Sequence, residues 1–177
     1  RGSRTWKADG EFILCTEHPK VRQFLRESVA GIFRAVPDLD GVVIIVGGEG
    51  FYHCFMRPYG VEKGHTDCTR CEPLGPDVVV SNLCNYLADA VRGVNPEGEV
   101  VVWPYSAAAV WSDDRAQTGM IERMKPGTAL FTEIEKDETI AKPEGVKKLL
   151  WDYSIDLIGP GPRAEEQIAA CREAGIP

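Results

Sequence analysis

The 177-residue sequence has few of the features that would assign a class at once. No apolar run approaches the roughly 20 residues a helix needs to cross a bilayer, so no membrane-spanning helix is expected. Basic charge is not in excess: 20 Lys and Arg stand against 27 Asp and Glu, a formal net charge of −7. Without a basic stripe to displace counterions from phosphates, nucleic acid and anionic membranes are not expected partners. No GxGxxG follows the first apolar segment, and Gly47-Gly48-Glu49-Gly50 runs into aromatics rather than a helix, which argues against a dinucleotide fold and an organic cofactor. No linker, low-complexity run or charge block divides the chain, so 1–177 reads as one domain. Arg1-Gly2-Ser3 reads as an appended leader, and residues 1–10 add nothing to the pattern. No signal-peptide pattern opens the sequence, although one removed earlier would leave no trace. The cytoplasm has a slight edge as the expected compartment.

What is present is organised around 41–71. Val42 to Val46 are five consecutive aliphatic residues, bounded by Asp40-Gly41 and by Gly47-Gly48, and they read as a strand buried on both faces. Before them, 12–16 reads as a first strand. Pro19 opens a helix in which Val21, Phe24, Leu25, Val29, Ile32, Phe33 and Val36 keep a helical period. Pro76 opens a second helix carrying Val79, Leu83, Tyr86, Leu87, Ala90 and Val91. Strands are expected over 99–105, 129–136 and 150–155, short helices over 116–124 and 143–149, and a last helix after Pro162. Strand and helix alternate five times, which predicts an α/β fold with a parallel sheet. The expected form is a partial TIM-type barrel with about five of eight β/α units, and neighbouring units missing at one or both ends. Unclosed edges would then make the chain a homo-oligomer or leave it waiting for the missing segments.

Chemistry is expected where strands end. Glu49, between glycines at the end of the 42–46 run, would be partly desolvated and its pKa raised towards that of a general acid. The alternative is a solvated or capping loop carboxylate. Glu133, a charge within an apolar strand, is the candidate second carboxylate, unless it pairs with Lys136 or Lys125 on a strand rim. Asp152 is the reserve. Glycoside hydrolysis needs two such groups, about 5 to 5.5 Å apart for retention or about 6.5 to 9.5 Å for inversion. Tyr52, Trp103, Tyr105, Trp111 and Tyr153 fall at or beyond expected strand ends, where flat rings would stack on sugar faces. His18 and His53 fall there too and would hydrogen-bond hydroxyls. For each of these, plain packing is the competing role.

Cys54, His65, Cys68 and Cys71 form a second constellation. His65-x-x-Cys68-x-x-Cys71 brings three soft ligands together, and Cys54 would complete a tetrahedron around a structural zinc that pins a long loop. A disulfide or free thiols are the alternatives, and a catalytic zinc is a lesser one. Cys15, Cys84 and Cys171 read as small buried apolar residues.

The succession of strand, GGEG, aromatic and His-Cys, then Cys-x-x-Cys before a long helix, then a strand ending Trp-Pro-Tyr, resembles the barrel domains of glycoside hydrolases related to hexosaminidases and alpha-glucuronidases. The resemblance spans Phe12 to Pro177, with its distinctive part over Gly47 to Cys71. It implies a glycosidase acting on a carbohydrate by carboxylate acid/base catalysis. Where hexosaminidases carry a paired Asp-Glu, Glu49 here follows Gly48. Two other functions fit the same residues: a zinc-dependent esterase or amidase, and a non-catalytic sugar-binding fragment.

Overall fold

The structure is a computed structural model that describes residues 2, 12–48, 52–56, 58, 60–132, 138–141, 143–145, 147–150 and 161–177. Among these residues the chain is a mixed α/β fold. Helices α1 (Pro19–Ala35) and α2 (Gly75–Arg92) are the two long ones, with α3 (Ala107–Val110), α4 (Thr118–Ile121) and α5 (Pro162–Ala174) beside them. Strands β1 (Gly41–Ile45), β2 (Glu99–Trp103) and β3 (Thr128–Leu130) form a parallel sheet in that order. They do not close into a barrel.

Both long helices form where the apolar period and the proline at the first turn place them. His18 caps α1, its Nδ1 accepting from the backbone N–H of Lys20 at 3.2 Å, which satisfies one of the donors that helix starts leave open. The register pairs Val43 with Val101 and Ile45 with Trp103, so alternation along the strands sorts the sheet into two faces. Val42, Ile44 and Val100 lie on the face that meets Phe33 of α1 with Ala88 and Val91 of α2.

The opposite face differs from expectation. Val43 remains 48% and Ile45 38% exposed, and Phe131, just past β3, is 55% exposed. Among the described residues, α1 and α2 pack on one side of the 42–46 run, and Val43 and Ile45 on the other side stay partly exposed.

Three further differences follow from pairing that local pattern does not encode. Residues 13–15 form no strand and do not join the sheet, and Phe12 makes an isolated bridge. The turn expected to be helical over 143–149 instead joins β4 (Glu138–Ala141) and β5 (Lys147–Leu150), an antiparallel hairpin with Glu138 opposite Leu150 and Ala141 opposite Lys147. β3 ends at Leu130, short of the strand expected over 129–136, of which 133–136 lie outside the described residues, as does most of the strand expected over 150–155.

Candidate metal centre and strand-end surface

Four buried cysteines, Cys15, Cys54, Cys68 and Cys71, bring their sulfurs within 4.8 Å of one another. Cys15 Sγ lies 3.6 Å from Cys71 Sγ and 3.7 Å from Cys68 Sγ. A disulfide would need about 2.05 Å, and none of the six cysteines is disulfide-bonded. A Zn–S bond of about 2.3 Å makes the sulfur–sulfur edges of a tetrahedron about 3.8 Å long. The spacing fits one metal ion held by four sulfurs, and the donor set is compatible with zinc.

Local backbone geometry sets each ligand. Cys68 and Cys71 stand on a tight turn in which the N–H groups of Cys71 and Glu72 both donate to the Cys68 carbonyl, at 3.0 and 2.9 Å. That turn runs through the 3-10 segment Glu72–Leu74 directly into α2. Cys15 sits just before α1, its carbonyl accepting from the His18 N–H at 2.9 Å. Cys54 enters from the β1–α2 connection. Packed among the other sulfurs, the Cys71 thiol is pushed far up, first by its hydrogen bond with Cys54 and then by burial; a neutral cluster resists ionisation that a bound cation would favour.

His65 is not part of the cluster. It is exposed, its Nδ1 lying 2.8 Å from Glu72 Oε1, while Glu72 Oε2 accepts from the Thr66 N–H at 2.7 Å. The carboxylate thus closes the 65–72 turn and holds the imidazole pKa above its usual value. Cys15 takes the fourth place instead. Cys15 is buried, as expected; that its sulfur also joins the cluster could not be read from spacing, because only packing brings residue 15 to residues 54–71.

Along the β1 exit, His53 is fully buried, with Nε2 3.1 Å from the Val46 carbonyl oxygen. Burial lowers its pKa to about 4, so the ring is neutral and donates through Nε2. It has no surface to offer a substrate, and its edge meets the Trp111 ring at 5.4 Å. Trp111 is itself completely buried and is a core residue rather than a stacking platform. His18, half-buried, uses its Nδ1 to cap α1.

Trp103 ends β2 and Tyr105 follows it, both half-buried. Their ring centroids are 5.0 Å apart, and Trp103 lies 5.6 Å from Phe131, so three rings form one patch at the carboxyl end of the parallel strands. Phe131 was read only as part of a strand; its alternation with Trp103 across the sheet was the available signal. The turn Gly47-Gly48 packs directly against this patch. A Cβ on Gly47 would come within 2.0 Å of the Tyr105 carbonyl oxygen, and Gly48, at φ +87°, faces the Tyr105 ring. Tyr52 is partly exposed and lines an apolar cavity of about 250 Å³ with Leu14, Leu25, Ile45 and Leu83. Glu49, Glu133, Asp152 and Tyr153 lie outside the described residues. The chain matches no family model, no curated protein and no solved structure.

Proposed function

We propose that the chain is the core of a carbohydrate-active hydrolase, a partial TIM-type barrel related to the hexosaminidase and alpha-glucuronidase glycosidases. The observation that supports this most is the aromatic patch of Trp103, Tyr105 and Phe131 at the carboxyl ends of parallel strands, the end where β/α folds carry their sites. The sheet supports the partial barrel: helices on one face and aliphatic side chains exposed on the other is the arrangement of a barrel wall seen from inside. Glu49 follows the Gly47-Gly48 turn that abuts Tyr105 and would serve as general acid, with Glu133 or Asp152 as the second carboxylate. The ion at the four cysteines is zinc in a structural role. Four protein ligands leave no open position for water, so the donor set does not favour a zinc-dependent esterase or amidase.

A panel of chromogenic glycosides assayed with the wild type and Glu49→Gln tests the reading. Hydrolysis of at least one glycoside, lost in the variant, is expected. No hydrolysis across the panel, or unchanged activity in Glu49→Gln, overturns it.

A further inference from the structure

The four-cysteine centre lies beside a cation, Arg70, that reaches one of its sulfurs within hydrogen-bond distance. Arg70 stands between Cys68 and Cys71 in sequence, on the turn that supplies both, and its guanidinium Nη1 donates to Cys15 Sγ at 3.6 Å. Four thiolates around a divalent ion carry a net charge of −2, and a buried excess of that size is unfavourable unless a neighbouring positive charge or hydrogen-bond donor compensates it. Arg70 is exposed on its solvent side while one edge reaches the centre, so the charge is balanced without burying a second ion in full.

We propose that Cys15, Cys54, Cys68 and Cys71 bind a single zinc ion as a closed tetrathiolate, and that Arg70 is its outer-sphere donor, acting through the Cys15 sulfur. This rests on the structural-zinc reading above and is independent of the carbohydrate reading. The donor set is drawn from three separate stretches of chain. Cys15 anchors the approach to α1, Cys54 the connection leaving β1, and the Cys68 and Cys71 turn the start of α2. One ion therefore ties together the two long helices and the loop between β1 and α2, adding to the burial of Phe55 and Met56 in that loop. Thr66 assists by accepting the Cys68 N–H at 3.2 Å, which orients the turn. Arg70 is a positioning residue: it touches a ligand sulfur and not the ion. Iron held by the same four sulfurs is the competing occupant, and clusters of several irons need sulfurs spread more widely than 3.6 to 3.7 Å.

The test needs no substrate, so its result stands whether or not the chain hydrolyses glycosides. Protein purified under reducing conditions is expected to contain one zinc per chain by elemental analysis. X-ray absorption at the zinc edge should then show four sulfurs at about 2.3 Å. Three sulfurs with a nitrogen or oxygen, iron in place of zinc, or a disulfide in the freshly isolated chain overturns the proposal. Cobalt added to the metal-free protein should give the visible bands and near-ultraviolet sulfur charge transfer of a tetrahedral thiolate site. Those bands should be unchanged in His65→Ala and altered in Cys15→His, which keeps a ligand at that place should Cys15→Ser fail to fold. Loss of the spectrum in His65→Ala overturns the ligand set. In competition with a chromophoric chelator, Arg70→Ala should weaken zinc binding by about 10- to 100-fold, with Arg70→Lys recovering part of the loss. Equal affinity in wild type and Arg70→Ala removes Arg70 from the site.

Discussion

The imidazole Nε2 of His53 lies 3.1 Å from the carbonyl oxygen of Val46, and both residues are fully buried. One residue further on, Cys54 enters the sulfur cluster. The exit of β1 and the candidate metal centre are therefore joined through a single peptide unit, and the position of Gly47-Gly48 depends on both.

Removing the imidazole should be felt at β1. His53→Ala leaves the Val46 carbonyl buried without its donor and opens a space beside Trp111. A loss of about 1–3 kcal/mol is expected from the unsatisfied carbonyl alone, read as a lower urea midpoint at unchanged slope. His53→Gln, which keeps a donor, should recover part of it. Equal stability in the alanine variant would mean that the hydrogen bond contributes nothing.

Gly47→Ala should be severe for a molecule that gains one methyl group. Its Cβ would fall 2.0 Å from a backbone oxygen, that of Tyr105, so neither partner relieves the clash by turning a side chain. Destabilisation of several kcal/mol, or failure to fold, is expected. Gly31, on the exposed course of α1, has open space around its Cβ. Gly31→Ala is the control and should be neutral or stabilising by about 1 kcal/mol.

The surface rings separate a sugar platform from ordinary packing. Trp103→Ala should reduce binding to an immobilised glycan by roughly tenfold if one ring face stacks on a sugar, with zinc content unaffected. Trp111→Phe should lower the melting temperature without touching glycan affinity. Reversal of these two effects in affinity electrophoresis and thermal melts would remove the patch from the proposed site.

Asp77 offers a pH-dependent test remote from the cysteines. Its carboxyl is half-buried, and desolvation first, then repulsion from Asp114, raises its pKa. A carboxyl whose folded pKa lies above its unfolded value favours the folded state only while protonated, and that advantage is lost as pH rises through the folded pKa. Asp77→Asn should therefore raise the melting temperature at pH 7 and leave it nearly unchanged at pH 3. The gain should be under about 1 kcal/mol, because solvent screens a half-exposed group.

Metal removal should act on the fold before any chemistry. Stripping the ion with a strong chelator under reducing conditions should lower the melting temperature and expose the 54–71 stretch to proteolysis, with zinc restoring both. A metal-free chain with the same melting temperature and the same cleavage pattern would show that the sulfurs carry no structural load.

Local order was legible where it depends on neighbours in sequence. The bounds of α1 and α2 follow from period and proline position, β1 and β2 from runs of aliphatic residues, and the Cys68 to Cys71 turn from its two-residue spacing. The hairpin of β4 and β5 was not legible, because Pro143-Glu144-Gly145 suits a helix start and a turn equally, and only the pairing of Glu138 with Leu150 decides between them. His65 and Cys15 make the same point at the site. Both candidates have metal-binding chemistry, and spacing favours the histidine, three residues from Cys68.

The sequence by itself determined that this is an acidic α/β chain with a soft-ligand loop between its first aliphatic strand and its second long helix. Periodicity and short spacing are properties of neighbouring residues, so they survive without a fold. Only the tertiary structure decided that Cys15 joins Cys54, Cys68 and Cys71 while His65 turns to Glu72, that Trp111 and His53 are core, and that Val43 and Ile45 stay partly exposed on one face of the sheet. Each of those depends on which distant segments share a space, and that is settled by packing of α1 and α2 on one side of the strands rather than by any local pattern.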